Sequence, residues 1–324
     1  MLRRLEGYIL LLKNFAQWDE KSGDVFWIQK KRLPPGMVRD GSDAEYINFN
    51  ETPLDISRLM NEGIFENMKS VICTSATLKT GRDFNYWMNR TGLSFVESER
   101  LLKGEFPSPF PYEKNMLFAV PRDAPLPDSS EYQQFVEMAI PRLVRAAEGR
   151  TLVLFTSYES LKSAHRAAIT SLPGFGGRIM RQGEDDNGKL LEAFKEENES
   201  VLFATDSFWQ GVDIPGESLS QVIIVKLPFT VPNDPVFVAR SEAIEMRGGS
   251  SFMELSVPEA IIKYRQGIGR LIRRSDDKGA VVVLDRRIYE KRYGSFFIAS
   301  MPPCKKMYEP LSEITKKINN FIFE

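Results

Sequence analysis

The residues best suited to chemistry are Gln266, Gly269, Arg270 and Arg273, which follow the spacing Q-x-x-G-R-x-x-R. Apolar periodicity predicts a helix over residues 258–272, and positions i, i+4 and i+7 would place the glutamine and both arginines on one helix face. Guanidinium groups bind phosphate oxygens in pairs and keep their charge, so this face suits a polyphosphate. The glycine would let a ligand or another backbone approach closely. The alternative interpretation is a basic helix face paired with surface acids.

Small, polar and charged residues also follow the predicted apolar strands. Because ligands of open parallel sheets bind at the carboxyl ends of the strands, these residues would line a ligand-binding edge. Many α/β domains share this pattern, so it does not specify the ligand by itself. The residues are Ser75, Thr77, Ser157, Tyr158, Thr205, Asp206, Gly211, Asp213, Lys226 and Asp285. For Asp285 the alternative is a structural ion pair with Arg286.

The elements that would position these residues are apolar strands alternating with helices. The predicted strands cover residues 116–120, 151–156, 200–204, 222–225 and 279–284, and the predicted helices cover 132–147, 158–171, 188–197 and 258–272. Uniformly apolar strands that alternate with helices indicate a parallel sheet with helices on both faces. The predicted fold class is therefore α/β.

The N-terminal part follows a different pattern. Its predicted elements are an amphipathic helix over residues 1–18, a hairpin over 25–29 and 45–49, a helix over 55–65 and an apolar strand over 70–74. Cys73 lies in the last of these and would be buried. Proline and aromatic residues become dense near residues 97–110, which indicates a boundary between a domain of residues 1–100 and one of residues 101–324.

The composition excludes several kinds of site. The chain of 324 residues has two cysteines, distant in sequence, and one histidine. It therefore cannot hold a disulfide framework, a cysteine-only zinc or iron–sulfur site, or a multi-histidine metal site. No apolar run reaches the ~18 residues of a membrane span. We expect no metal site in this chain, no membrane partner and a cytoplasmic location.

The charge is balanced overall but uneven along the chain. The net charge is −1, from 43 basic and 44 acidic residues. Residues 263–292 contain ten lysines and arginines and four acids, which is a local charge of +6. Such a segment predicts a surface that faces a polyanion, and the alternative is a solvated basic face.

Four motifs in one order carry a resemblance to a known family. TSATL at residues 74–78, LVLFTSYESL at 152–161, ATDSFWQGVDIPG at 204–216 and QGIGRLIR at 266–273 are similar to the third to sixth motifs of superfamily-two helicases. LPF at 227–229 and LDRR at 284–287 also match. The chain resembles the DinG/XPD-like branch, most closely the bacterial DinG-type proteins. The resemblance implies a RecA-like, P-loop NTPase-type sheet preceded by a small α+β remnant, which comprises the end of an inserted helical domain and the last strands of the first motor domain.

The resemblance also implies roles for individual residues. Arg270 and Arg273 would be arginine fingers on the phosphates of ATP, and Gln266 would couple the nucleotide to DNA. The remaining implied contacts are Gly211, Asp213 and Gly269 at the nucleotide, Ser75 and Thr77 between phosphate sensing and domain closure, Thr205 and Asp206 near the nucleic-acid backbone, and Ser157 and Tyr158 at the single strand.

The resemblance is partial. The sequence has no G-x-x-x-x-G-K-[ST] loop, no D-E-A/C-H magnesium motif and no four-cysteine set. We therefore expect ATP and Mg²⁺ to need an upstream domain, any iron–sulfur cluster to lie in that domain, and this chain alone to be inactive.

The implied function is that of an ATP-dependent DNA helicase in DNA repair or replication, acting on single-stranded DNA as a monomer. One rival is a nucleic-acid-binding module that keeps the fold but does not hydrolyse ATP. Another is an RNA-directed translocase, or a nuclease fusion. The intact arginine motif argues against the first rival.

Overall fold

The computed structural model describes residues 2–20, 23–32, 45–81, 83–205, 208 and 218–323. Contacts divide the chain into two compact units. The first comprises Met1–Thr74, Phe84–Leu102 and Val231–Leu255, and the second comprises Ser75–Asp83, Lys103–Thr230 and Ser256–Glu324. The two predicted domains stay a prediction, but neither unit is continuous in sequence, because Val231–Leu255 returns to the first.

The regular elements are numbered in chain order. The helices are α1 (Leu2–Ala16), α2 (Ser57–Met60), α3 (Asn85–Thr91), α4 (Tyr112–Asn115), α5 (Tyr132–Ala146), α6 (Tyr158–Ser171), α7 (Asn187–Glu196), α8 (Pro235–Met246), α9 (Val257–Ile268), α10 (Arg287–Glu290), α11 (Gly294–Ala299) and α12 (Leu311–Phe323). The strands are β1 (Asp24–Arg32), β2 (Glu45–Pro53), β3 (Met116–Ala119), β4 (Thr151–Leu154), β5 (Ile179–Arg181), β6 (Val201–Ala204), β7 (Gln221–Ile224), β8 (Gly279–Val283) and β9 (Lys305–Met307). Short π-helical turns cover Asn61–Phe65 and Phe252–Ser256.

The first unit is built around α1 and a hairpin. Strands β1 and β2 pair antiparallel with Ile28 opposite Phe49, which confirms the predicted hairpin. Helix α1 packs on this hairpin through Phe15, whose ring lies 5.1 Å from that of Phe26 and 5.2 Å from that of Phe49. Arg240 of α8 donates from Nε to the carbonyl oxygen of Leu54 at 3.1 Å, within the same unit.

One predicted strand of the N-terminal part is wrong. Residues 70–74 form no strand, Ile72 is 90 % exposed, and Cys73 is exposed rather than buried. The apolar, β-branched run has strand character, but a strand is stable only beside another strand. No strand in the described part of the chain pairs with this segment.

The second unit contains the predicted parallel sheet. Among the described residues its seven strands follow the order β5-β6-β4-β7-β8-β3-β9, and neighbouring strands run parallel. Parallel strands need crossover connections, which α5, α6, α7 and α9 supply. Every residue of β3, β4, β6, β7 and β8 is buried, which explains why these strands are uniformly apolar.

Helices cover both faces of this sheet. Leu202 and Ala204 of β6 enter a core shared with α7 and α9, whereas Val201 and Phe203 enter a core shared with α5, α6 and α12. Strands β5 and β9 were not predicted from the sequence. Each has only three residues, and β9 contains two lysines, so neither gives a clear apolar signal. None of the helices described is both long enough and apolar enough to cross a bilayer.

Candidate nucleotide and nucleic-acid interface

The carboxyl ends of β4, β5 and β6 bring together Tyr158, Gln182 and Thr205. The backbone N–H and the hydroxyl of Thr205 both donate to Gln182 Oε1, at 2.8 Å and 2.9 Å. The Tyr158 hydroxyl donates to the carbonyl oxygen of Gln182 at 3.0 Å. Two of the predicted nucleic-acid-binding residues therefore meet through a glutamine that the sequence did not single out.

Ser157 and Tyr158 form the start of α6. Ser157 Oγ accepts a 3.4 Å hydrogen bond from the backbone N–H of Ser160, so this serine is the helix cap. Tyr158 is 40 % exposed, and its hydroxyl accepts from Arg181 Nη1 at 3.2 Å. Lys162 Nζ lies 4.7 Å from the centre of the tyrosine ring. The exposed side chain of Tyr158 therefore contacts two cations, which suits contact with an anionic strand.

A buried ion pair follows the carboxyl ends of β7 and β8. Asp285 is 0 % exposed and binds Arg287, whose Nε lies 2.9 Å from Oδ1 and whose Nη2 lies 2.6 Å from Oδ2. Asp285 Oδ2 also accepts from the backbone N–H of Leu227 at 3.0 Å. The alternative that paired Asp285 with Arg286 names the wrong partner, because Arg286 instead pairs with Glu290 at 3.1 Å.

The Asp285–Arg287 pair links two of the matched sequence segments. The LPF and LDRR segments are joined by the bond from Leu227 to Asp285, and the Arg287 guanidinium lies 5.9 Å from the centre of the Phe229 ring. Burial by itself lowers the pKa of Arg287, but the hydrogen bond and negative charge of Asp285 outweigh burial and raise it. Arg287 is therefore held as a permanent cation.

The structure corrects the predicted geometry of the Q-x-x-G-R-x-x-R segment. Helix α9 ends at Ile268 with Gly269 as its cap, so Arg270 and Arg273 lie in the following loop and not on a helix face with Gln266. The two closely spaced glycines are poor helix formers, and they end the helix where periodicity alone would extend it. Gln266 keeps its place in the last helical turn. Its Oε1 is buried and has no hydrogen-bond partner among the described residues.

The loop after α9 leads to the amino end of β8. The backbone N–H groups of Arg273 and Arg274 both donate to Asp277 Oδ2, at 2.6 Å and 2.7 Å. Asn115, just before β3, donates to the carbonyl oxygen of Ser275 at 2.9 Å. The two arginines of the motif therefore lie toward the opposite end of the sheet from the cluster around Gln182.

Space around this loop is open to a ligand. Gly269 is exposed, and a Cβ there would meet only the carbonyl oxygens of its own helix, at 3.1 Å from Arg265 and 3.8 Å from Gln266. Arg270 is half-buried and Arg273 is exposed. No other segment of the described structure packs closely against this glycine.

Arg265 joins α9 to the TSATL segment. Its Nη1 donates to the carbonyl oxygen of Lys79 at 2.5 Å and its Nη2 to that of Ala76 at 2.6 Å. Ser75 and Thr77 lie in the same turn, with their hydroxyl oxygens 3.2 Å apart. Burial lowers the pKa of Arg265 from its ordinary value. Sequence reasoning missed Arg265, because a single sequence does not show that its guanidinium group bonds two distant carbonyl oxygens.

The predicted basic segment is partly neutralised by contacts inside the fold. Arg286 and Arg287 pair with carboxylates, Arg265 binds carbonyl oxygens, and Lys278 lies 5.0 Å from the centre of the Phe321 ring. The local count of +6 already subtracts the acids that pair with Arg286 and Arg287, and Arg265 and Lys278 are two further cations of this segment that are engaged inside the fold.

A near match to a phosphate-binding loop occurs at residues 183–189, which read G-x-x-x-x-G-K. The next residue is Leu190, which is buried in the core where a phosphate loop needs a serine or threonine. Asp186 Oδ1 accepts the backbone N–H of Gly188 at 2.9 Å and so caps α7 with a carboxylate. An anion already occupies this helix start, so the loop is unsuited to phosphate.

Three predicted site residues lie outside the described residues: Asp206, Gly211 and Asp213. Within the described ranges, no group of three or more histidine, cysteine, aspartate or glutamate side chains is arranged to hold a metal ion.

The family model described as the helicase C-terminal domain matches residues 140–304, which is more than half of the chain. This range includes both the Tyr158–Gln182–Thr205 cluster and the loop after α9 that carries Arg270 and Arg273, which we call the arginine loop. It therefore covers the predicted site residues of the second unit except Ser75 and Thr77.

Curated relatives agree with this match. The chain is 38 % identical over 258 residues to the ATP-dependent DNA helicase YoaA of Escherichia coli, covering 79 % of this chain and 39 % of that protein. It is 36 % identical over 296 residues to the ATP-dependent helicase DinG of Mycobacterium tuberculosis, covering 90 % of this chain and 42 % of that protein. It is 35 % identical over 257 residues to the 3'-5' exonuclease DinG of Bacillus subtilis, covering 77 % of this chain and 27 % of that protein. The chain thus spans less than half of the length of these relatives.

Solved structures show the same fold. A structure titled XPD_Helicase aligns with a TM-score of 0.55 at 16 % identity, covering 82 % of this chain and 47 % of that one. A structure titled "Structure of S. tokodaii Xpd4" aligns with a TM-score of 0.51 at 16 % identity, covering 82 % of this chain and 49 % of that one. The parallel sheet is therefore RecA-like, and the chain belongs to the helicase C-terminal domain family, in its DinG/XPD-like branch.

Proposed function

We propose that this chain is the second motor domain of an ATP-dependent DNA helicase of the DinG type. The observation that carries the proposal is the match of residues 140–304 to the helicase C-terminal family, with the arginine loop and the Tyr158 cluster on one RecA-like sheet. Relatives named ATP-dependent helicases support the activity. A role in DNA repair and a monomeric state are further parts of this proposal.

The side chains present fit the phosphates of ATP. Arg270 and Arg273 would hold phosphate oxygens, because their loop is open to solvent beside Gly269 and guanidinium groups donate in pairs. ATP, when bound, supplies the anhydride bond whose hydrolysis drives movement. A magnesium ion prefers carboxylate oxygens, and the described residues offer no such cluster. We therefore place the magnesium ligands, and any iron–sulfur cluster, in other parts of the complete protein.

Exposed apolar side chains of the first unit support the proposal that another domain covers this surface in the complete protein. Ile72, which lies in an apolar stretch of the sequence, is 90 % exposed, and Leu102 is 100 % exposed. Large apolar side chains at such exposure mark surfaces that a partner covers. We propose that the first motor domain covers them, and that the chain alone does not hydrolyse ATP.

The single strand would cross the carboxyl ends of β4 to β6. Tyr158 offers an exposed ring, on which a base stacks for about 1–3 kcal/mol. Thr205 would lie near the backbone of the strand, and in this structure both of its donors bond Gln182 Oε1. Ser157 would contribute through its place at the start of α6, where it fixes the direction of Tyr158.

The test is hydrolysis of ATP by the complete gene product, with and without single-stranded DNA. Arg270→Ala should lower the stimulated rate by about 10²-fold or more, as expected for loss of a donor to the transition state. Arg274→Ala is the matched control, because it removes an equal charge from an exposed neighbour. Single-strand binding without any hydrolysis would favour the non-hydrolysing module instead.

The same hydrolysis assay is repeated with single-stranded RNA in place of DNA. The relatives named DNA helicases favour DNA, so DNA should stimulate hydrolysis more strongly than RNA of the same sequence. Equal or stronger stimulation by RNA would support the RNA-directed translocase. The B. subtilis relative is named an exonuclease, and degradation of the DNA by the complete protein would identify a nuclease fusion.

A further inference from the structure

Thr205 directs both of its hydrogen-bond donors at one atom. Its backbone N–H and its hydroxyl lie 2.8 Å and 2.9 Å from Gln182 Oε1, and two donors on one atom identify that atom as the amide oxygen. A threonine has no other donors. In this structure, therefore, Thr205 has none left for a nucleic-acid phosphate.

We propose that Gln182 Oε1 occupies the position of a backbone-phosphate oxygen, and that binding of a single strand displaces the glutamine side chain. This inference rests on the proposed function. An amide oxygen and a phosphate oxygen are both acceptors, and two convergent donors at normal hydrogen-bond length suit either one. A phosphate oxygen carries more charge and forms the stronger bond.

The backbone around Gln182 is held independently of its side chain. Its N–H donates to the carbonyl oxygen of Phe203 at 2.8 Å, and its own carbonyl oxygen accepts from Tyr158 at 3.0 Å. Gly183 follows with φ of +89°, and a Cβ there would lie 2.2 Å from the Tyr158 hydroxyl oxygen. The backbone of β5 and the Tyr158 bond can therefore keep their places while the glutamine side chain rotates away from Thr205.

The surroundings favour an anion over an amide. Arg181 Nη1 lies 3.2 Å from the Tyr158 hydroxyl, and Lys162 Nζ lies 4.7 Å from the centre of the tyrosine ring. Glu184 pairs with Arg181 at 3.1 Å and reduces this charge in part. A strand that reached Thr205 would pass beside both cations, whereas the neutral glutamine gains little from them.

The glutamine then acts as an internal competitor that weakens single-strand binding. When only a fraction of the protein is in the state that can bind the strand, the apparent affinity is the intrinsic affinity multiplied by that fraction. Because strand binding must release the two hydrogen bonds to Thr205, removing them should raise affinity by about threefold to tenfold.

The experiment measures binding of a fluorescent single-stranded oligonucleotide to the complete gene product at one salt concentration. Gln182→Met keeps the length of the side chain but removes the acceptor, and it should bind about threefold to tenfold more tightly. Gln182→Glu keeps the acceptor and adds a negative charge, and it should bind more weakly than the wild type. Gln134→Met is the control on an exposed position of α5 and should bind as the wild type does.

Thr205→Val tests whether the effect acts through the threonine. It should weaken binding by itself, and in its background Gln182→Met should give a smaller gain, since only the backbone N–H is left to release. Unchanged or weaker binding by Gln182→Met, with Thr205→Val still defective, overturns the inference and leaves the proposed function standing. If no form binds the oligonucleotide, the proposed function fails and the inference fails with it.

Discussion

The buried carboxylate of Asp285 should be essential to the stability of the second unit. It is 0 % exposed and accepts from Leu227 N–H at 3.0 Å and from Arg287 N–H, Nε and Nη2 at 3.1, 2.9 and 2.6 Å. Asp285→Asn keeps the shape but replaces an acceptor by a donor that faces other donors. The Arg287 guanidinium is left without its counter-charge.

The magnitude follows from how much of each partner is buried. Breaking a buried pair by removing one partner costs about 3–5 kcal/mol. The Arg287 side chain is 19 % exposed and can recover some hydration, so we expect the lower end, about 3 kcal/mol. For a domain of this size that corresponds to a fall in melting temperature of roughly 6–12 °C.

The assay is thermal and urea unfolding followed by circular dichroism, with Glu290→Gln as the control. That carboxylate also pairs with an arginine, Arg286, but both side chains are about one-third exposed, at 33 % and 30 %. Such a surface pair contributes about 0–1 kcal/mol. The reasoning is refuted if Asp285→Asn lies within about 1 kcal/mol of the control. Asp285→Asn combined with Arg287→Met should be less destabilised than Asp285→Asn alone, because no buried charge is then unpaired.

Three more results are expected. Burial lowers the pKa of His165, against an opposing effect of Glu184. The contribution of the neutral histidine to stability is therefore fully present above about pH 6.5 and is lost as the pH falls through the folded-state pKa. His165→Gln should flatten the decline in melting temperature between about pH 7 and 5, and an unchanged slope would contradict this assignment. Arg265→Lys cannot bridge two carbonyl oxygens, and amide exchange in Ser75–Asp83 should rise about tenfold without a matching rise in β8. Exchange equal to the wild type would show that the bridge does not hold this segment. A disulfide reagent should label exposed Cys73 before Cys304, whose pKa is raised by burial, and Cys73→Ser should abolish the fast phase.

The order of apolar strands and helices was enough to predict the α/β class and the parallel sheet. Strands buried on both faces are uniformly apolar, so their positions can be read without knowing their neighbours. The spacing of the motif residues also predicted roles for Tyr158, Thr205 and Arg270, because the resemblance depends on residue types in sequence and not on contacts. These signals are local, and one sequence contains them in full.

Tertiary structure decided which residues meet. Gln182 bonds Thr205 across adjacent strands, and Arg265 bonds carbonyl oxygens almost two hundred residues away in sequence. Asp285 forms its ion pair with Arg287 and not with Arg286. The end of α9 was also decided by its glycines and by burial of the residues beyond them. Arg270 therefore lies outside the helix. Pairing depends on distances that arise only when the chain is folded, and residues 70–74 show that even a good strand sequence needs a neighbouring strand.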